Sequence, residues 1–150
     1  MKRLLLCMFL VSIYSNCLFA KGLDSSNCVI LRFHPTSTLA ENHFPKGSKN
    51  STLTRNELFQ AQQLLEKCII DLNIEQKIYS IDITKYKCQF FVAVSPKGEK
   101  VIWVNCFCRT LDMQWRSKPV YVMDGGQCFF NLMINLSKSR CYNLMINGEA

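Results

Sequence analysis

The last third of the chain carries the clearest alternation of apolar and polar positions. Cys128, Phe130, Leu132, Ile134 and Leu136 fall on one side of an extended chain, with Gln127, Asn131 and Asn135 on the other. That period of two predicts a half-buried strand. After a polar break at Ser137–Arg140, Tyr142, Leu144 and Ile146 alternate against Asn143 and Asn147, so the two runs predict a hairpin whose inner face needs a cover. Upstream, Tyr86–Val94 and Lys100–Arg109 are rich in Val, Ile, Phe and Trp and flank Ser95-Pro96-Lys97-Gly98, which predicts a second hairpin. If Cys88, Phe90, Val92 and Val94 face inward, Ile102, Val104, Cys106 and Cys108 form the matching set. Cys88 then lies near Cys106 or Cys108, depending on register.

The cover is expected from a helix. Thr54-Arg55-Asn56-Glu57 has the form of a capping box: the threonine oxygen can accept from the Glu57 N–H while the carboxylate reaches back, and Leu53 and Leu58 can pack as the accompanying staple. Leu58, Ala61, Leu65, Cys68, Ile69 and Leu72 then recur at spacings of three and four, opposite Gln60, Gln63 and Lys67. The spacing predicts an amphipathic helix of about five turns. Its stripe suits the sheet; docking into a partner's groove is the rival use.

The remaining segments are weaker signals. Asn27–Phe33 reads as a first strand, and residues 36–51, rich in Ser, Thr, Asn, Gly and Pro, read as a surface loop. Ile74–Lys85 reads mostly as loop, with a short extended piece at Ile78–Ile83. Val120–Met123 begins a further strand, and Asp124-Gly125-Gly126 supplies a turn or bulge. Together these predict an α+β fold in which one amphipathic helix packs on a curved four- to five-stranded antiparallel sheet, in the order β-α-β-β-β-β. The order is similar to the cystatin-like arrangement, a likeness of fold alone. Cystatin inhibitors carry Gln-x-Val-x-Gly at the first hairpin, whereas this turn reads Ala93-Val94-Ser95-Pro96-Lys97-Gly98, so protease inhibition is a minor expectation.

The first twenty residues change the picture from fold to address. Lys2 and Arg3 precede the apolar run Leu4–Ile13, followed by Leu18-Phe19-Ala20, the order of a secretory signal peptide cleaved after Ala20. The apolar run is about ten residues, too short to cross a bilayer. Acylation at Cys17 is the lesser alternative, because Tyr14-Ser15-Asn16 fits a lipobox poorly. Residues 21–150 then form a single domain, exported to the periplasm or beyond, with no transmembrane segment left. Loss of Lys2 and Arg3 lowers the net charge from +7 to +5. The basic residues are spread along the chain, which argues against nucleic acid as a partner. An unknown protein or glycan partner is expected instead.

Seven of the nine cysteines follow the leader: Cys28, Cys68, Cys88, Cys106, Cys108, Cys128 and Cys141. An exported chain can form disulfides, and an odd count leaves one thiol over. Cys88, Cys106, Cys108 and Cys128 are candidates for a disulfide or a redox-sensitive pair, although cysteine at these positions also serves as a small apolar residue. A metal site would need about four converging ligands, and thiolate sites favour two-residue separations on turns. No metal, cofactor or catalytic residue is therefore assigned. His34 and His43 read as ordinary polar residues, and the Asp124-Gly125-Gly126 turn precedes a strand without the helix of a phosphate loop. Two surfaces remain candidates for contact. One is the outer face of the last hairpin, Asn131, Met133, Asn135, Asn143, Met145 and Asn147. The other is the loop carrying Met113, Trp115 and Arg116, for which folding back over the sheet edge as a lid on the core is the favoured reading.

Gly98–Arg109 (GEKVIWVNCFCR), Trp115, Met123–Leu136 (MDGGQCFFNLMINL) and the ending LMINGEA resemble a group of small uncharacterised exported proteins of Bacteroidetes bacteria. The likeness is good over the C-terminal part and loose over the helix. It implies export and carries over no functional residues; Cys88, Cys128 and Cys141 read as local features for which it implies no disulfide role. The expectation is a noncatalytic binding or structural module of the cell envelope. The alternative is a small envelope redox protein or enzyme using Cys106 and Cys108.

Overall fold

A computed structural model describes residues 23–110 and 114–149, so the leader and Met113 lie outside the described residues. The fold is α+β, as expected: one main helix packs on a six-stranded, mostly antiparallel open sheet. The strands are β1 (Cys28–Leu31), β2 (Lys49–Asn50), β3 (Lys87–Val94), β4 (Lys100–Phe107), β5 (Phe129–Asn135) and β6 (Arg140–Ile146), and the helices are α1 (Thr38–His43) and α2 (Arg55–Glu75). The sheet order is β1-β3-β4-β5-β6, with β2 on the β1 side of β3. β1 runs parallel to β3 and every other pair is antiparallel. The long connection from β1 through α2 to β3 is what permits a parallel pairing.

Helix α2 begins where its local signals place it. Thr54 Oγ1 accepts from the Glu57 N–H at 3.3 Å and the Glu57 carboxylate accepts from the Thr54 N–H at 2.8 Å, closing both halves of the capping box. Ala61, Leu65, Ile69 and Leu72 are buried against Cys88, Phe90, Val92, Ile102, Val104, Cys106, Phe130, Leu132 and Ile134. These are the inward positions predicted from the alternation. Removing the Leu65 side chain beyond Cβ would cost about 2–5 kcal/mol.

Glu57 also joins the helix start to the second hairpin. Lys100 Nζ lies 2.6 Å from its Oε1, and this contact, helped by the Thr54 cap, holds the Glu57 carboxyl down at about 2. The unfolded value is about 4.3. The depressed group therefore contributes stability fully above that value and loses it as pH falls toward about 2. Glu57→Gln is expected to lower stability by about 1 kcal/mol at neutral pH, with the deficit vanishing in acid; urea denaturation across that range checks it. A deficit independent of pH would remove the charge from the account.

The opposite face of the sheet is buried as well, and here the structure departs from expectation. Residues 36–51 are not simply a surface loop: they form α1 and β2, and place Leu39 and Phe44 over Phe91, Ala93, Val101, Trp103 and Met133. Phe33 stacks on Phe44 with ring centres 4.6 Å apart, and His43 stacks on Trp103 at 4.2 Å. Beside this cluster, Trp115 meets the edge of Phe107 at 5.9 Å, with Phe129 completing a third apolar group. Val120–Met123 is irregular chain over this face rather than a strand, because its backbone bonds go to side chains. Ile78–Asp82 is irregular too, and Ile83–Lys85 is a single 3-10 turn.

Two local backbone features set the closing hairpin. Gly125 lies at φ 88°, where a Cβ would come within 2.7 Å of the Phe129 ring, so only glycine fits the turn into β5. On β6, Asn143 sits at φ 51° and the register slips by one between Asn131 and Met133. This is a β-bulge. The extra residue puts Tyr142 opposite Met133 and against the α1-side cluster, while Cys141, Leu144 and Ile146 pack toward α2. The expected single-sided alternation of Tyr142, Leu144 and Ile146 is therefore corrected.

Candidate functional site

The cysteines resolve into two bonds and a row. Cys68 on α2 is bonded to Cys141 on β6, and Cys108, just past β4, is bonded to Cys128, just before β5. The latter bond follows from β4–β5 pairing, since the Cys108 N–H donates to the Cys128 carbonyl at 2.9 Å. Cys106 and Cys108, expected as a pair, are thus separated: Cys106 points into the α2 side and stands opposite Cys88, with Sγ atoms 3.0 Å apart. Cys28 is the register partner of Cys88 on the other side. Burial drives the Cys88 thiol well above its ordinary range and pushes Cys28 up to about 12. Neither is a ready thiolate nucleophile.

The outer face of the last hairpin does not form one surface. Met133 is buried under α1, and Asn135 is buried with its amide donating to Glu99 at 2.8 Å and its oxygen accepting from the Lys138 N–H at 3.0 Å. Asn131 accepts from Trp103 Nε1 at 3.2 Å. Asn147 donates to the carbonyls of Val122 and Asp124 at 2.5 and 3.1 Å, which pins the 120–124 segment beside the end of β6. Asn143 is exposed at the bulge and Met145 is 61% exposed. These two, with Tyr121 and Met123 from the pinned segment, are what remains open of that face.

The candidate contact loop is mostly a lid. Trp115 is buried, Arg116 lies over its ring at 4.4 Å, and the Arg116 guanidinium donates to the Ser26 carbonyl at 2.6 Å. At the centre of this cover is Gln89, a β3 residue with no exposure. Its Nε2 donates to the carbonyls of Trp115 (2.5 Å) and Lys118 (2.7 Å), and its Oε1 accepts from the Val120 N–H (2.9 Å) and from Asn105 Nδ2 (3.2 Å). All four hydrogen-bonding positions of the amide are used. A polar residue at strand spacing gave no hint of this role.

What sequence reasoning missed is on the outer side of α2. Ile70 is 58% exposed, Ile74 67% and Ile78 81%. Ile70 and Ile74 are one turn apart on the helix, and Ile78 follows in the turn after it. The signal was present as the adjacent pair Ile69-Ile70, only one of which can face the sheet. Elsewhere, a cleft of about 520 Å³ lies beside α1, floored by Phe33 and Phe44 and rimmed by Glu41, Lys46 and Ser48. It brings no nucleophile and base together. Among the described residues no group of three or more His, Cys, Asp or Glu is arranged to hold a metal ion, and no helix is long and apolar enough to cross a membrane. Comparison with known proteins returned no matching family model, no matching curated protein and no matching solved structure.

Proposed function

We propose that this chain is an exported, noncatalytic binding module of the bacterial cell envelope, and that it takes a protein partner on the outer side of α2. The observation that carries the reading is the ridge of Ile70, Ile74 and Ile78. Exposed isoleucine is a costlier helix residue than Leu, Lys or Glu, and it adds nothing to a core it does not touch. The fold has no use for three of them in a row, whereas a protein interface does. Two disulfides are compatible with an oxidising compartment and with the signal-like leader. Redox chemistry at Cys106 and Cys108 has less support, because one is bonded to Cys128 and the other is buried.

The experiment is capture from native envelope fractions with the full chain and two variants. Replacing Ile70 and Ile74 by lysine is expected to weaken recovery of the partner tenfold or more, about 1.4 kcal/mol, with thermal stability unchanged. Lysine at Met123 and Met145 serves as the control on the other face. Recovery unaffected by the isoleucine changes would sink the ridge, and loss only with the methionine changes would move the site. Fractionation and the mature N-terminal mass test export separately.

A further inference from the structure

Cys28, Cys88 and Cys106 are consecutive register partners across β1, β3 and β4, and all three belong to the apolar cluster beneath α2. Neighbouring strands lie about 4.8 Å apart, so the three thiols form a short line across the sheet. Cys88 Sγ and Cys106 Sγ are already 3.0 Å apart. That is about 1 Å more than a disulfide bond, and directly opposed residues of an antiparallel pair keep their Cα atoms at about 4.5–5.5 Å, inside disulfide range. Cys88 and Cys106 are fully buried, whereas Cys28 is partly exposed at the sheet edge and accepts a hydrogen bond from Gln62 Nε2 at 3.3 Å.

We infer that Cys88 and Cys106 are the site of a third disulfide, and that Cys28 is the thiol through which that bond exchanges. The oxidant is a small-molecule disulfide. Its S–S bond breaks as the Cys88–Cys106 bond forms, the two protein thiols give up two protons and two electrons, and two small thiols leave. Exchange then needs no further reagent. The Cys28 thiolate attacks Cys88 Sγ, the Cys28–Cys88 bond forms as the Cys88–Cys106 bond breaks, and the electron pair leaves on Cys106, which takes a proton. Attack on a disulfide sulfur requires the incoming and departing sulfurs on opposite sides of the one attacked. Cys88 has Cys28 on one side and Cys106 on the other.

The row explains the odd thiol. With Cys68–Cys141 and Cys108–Cys128 formed, three cysteines remain among the described residues, and a third bond leaves one of them over. Exposure assigns that place to Cys28. Burial, Cys88 and the carboxylates of Asp24 and Glu66 keep Cys28 protonated against the Gln62 bond, so exchange in the folded protein is slow and the buried bond is the resting one. The inference draws on the export reading only for the natural oxidant.

The test uses the purified full chain, reduced, unfolded and refolded in a glutathione redox buffer, then alkylated under denaturing conditions and mapped by mass spectrometry. Among Cys28, Cys88 and Cys106, alkylation of Cys28 alone and a Cys88–Cys106 linked peptide are expected. In Cys106→Ala the Cys28–Cys88 bond is expected instead. In Cys28→Ser the buried bond still forms, but its reduction by glutathione in the folded protein slows about tenfold or more. Alkylation of all three thiols in the wild type overturns the site, and this measurement needs no variant to fold. A rate unchanged in Cys28→Ser overturns the exchange role. Both results come from refolded protein, so they stand apart from failure of export.

Discussion

Replacing Gln89 by leucine is expected to lower unfolding free energy by about 3–5 kcal/mol, because it strands three backbone groups rather than one, the Trp115 carbonyl buried and the other two part-buried. The carbonyls of Trp115 and Lys118 and the N–H of Val120 all end on this amide. Leucine matches its bulk and bonds none of them. Hydrogen exchange should localise the damage: amides of residues 114–122 lose protection first, while those of β4 and β5 keep theirs until global unfolding. Gln89→Glu sharpens the test. It retains the acceptor toward Val120 and Asn105 but turns two carbonyls against a buried carboxylate, whose folded pKa is therefore raised. Its stability relative to the leucine variant is greatest below the unfolded value of about 4.3, and is lost as pH rises through the raised one. Equal losses in both variants at every pH would show that shape, not hydrogen bonding, matters there.

The second large effect is expected from the Cys68–Cys141 bond. It spans 73 residues and ties the outermost strand β6 to α2. Closing a loop of that length in the unfolded chain amounts to about 4 kcal/mol, against about 3 kcal/mol for the 20-residue span between Cys108 and Cys128. Alanine pairs are the right replacements, since they leave no unpaired thiol. Calorimetry should rank the two double variants in that order. The 68/141 pair should also expose β6 to exchange ahead of the rest of the sheet, because β6 has a neighbour on one side only and a bulge at Asn143. Loss of order in α2 before β6 would contradict the proposed role of this bond.

The parts of the fold that were legible are those whose causes are local. The Thr54–Glu57 capping box, the stripe from Leu58 to Leu72 and the turn at Pro96-Lys97-Gly98 each act within a few residues, and each stands where expected. The second covered face was not read, although β3 and β4 advertise it: Phe90-Phe91-Val92-Ala93 and Val101–Val104 are apolar on both alternations, as strands buried on both sides must be. What covers that face comes from isolated apolar residues, Phe33, Leu39, Phe44 and Trp115, in segments too polar to show a period. The parallel course of β1 and the partners of the cysteines depend on contacts distant in sequence, which spacing alone does not encode. Of the candidate surface, Met145 and Asn143 are exposed as expected. Met133 and Asn135 are buried because α1 and the Glu99 carboxylate reach over them.

The bond between Cys108 and Cys128 encloses the lid in a covalent ring. Arg109 and Arg116 are exposed within that ring, as is Lys118, whose bond to Pro119 resists tryptic cleavage, so a protease of tryptic preference has two places to cut. A cut there releases nothing. The chain becomes two polypeptides joined by two sulfur bridges, Cys68–Cys141 and Cys108–Cys128, with Gln89 still gripping the carbonyls of Trp115 and Lys118. Such a nicked protein keeps its full mass until a reductant is added, and the new termini lie on the side of the sheet away from α2, leaving the isoleucine ridge untouched.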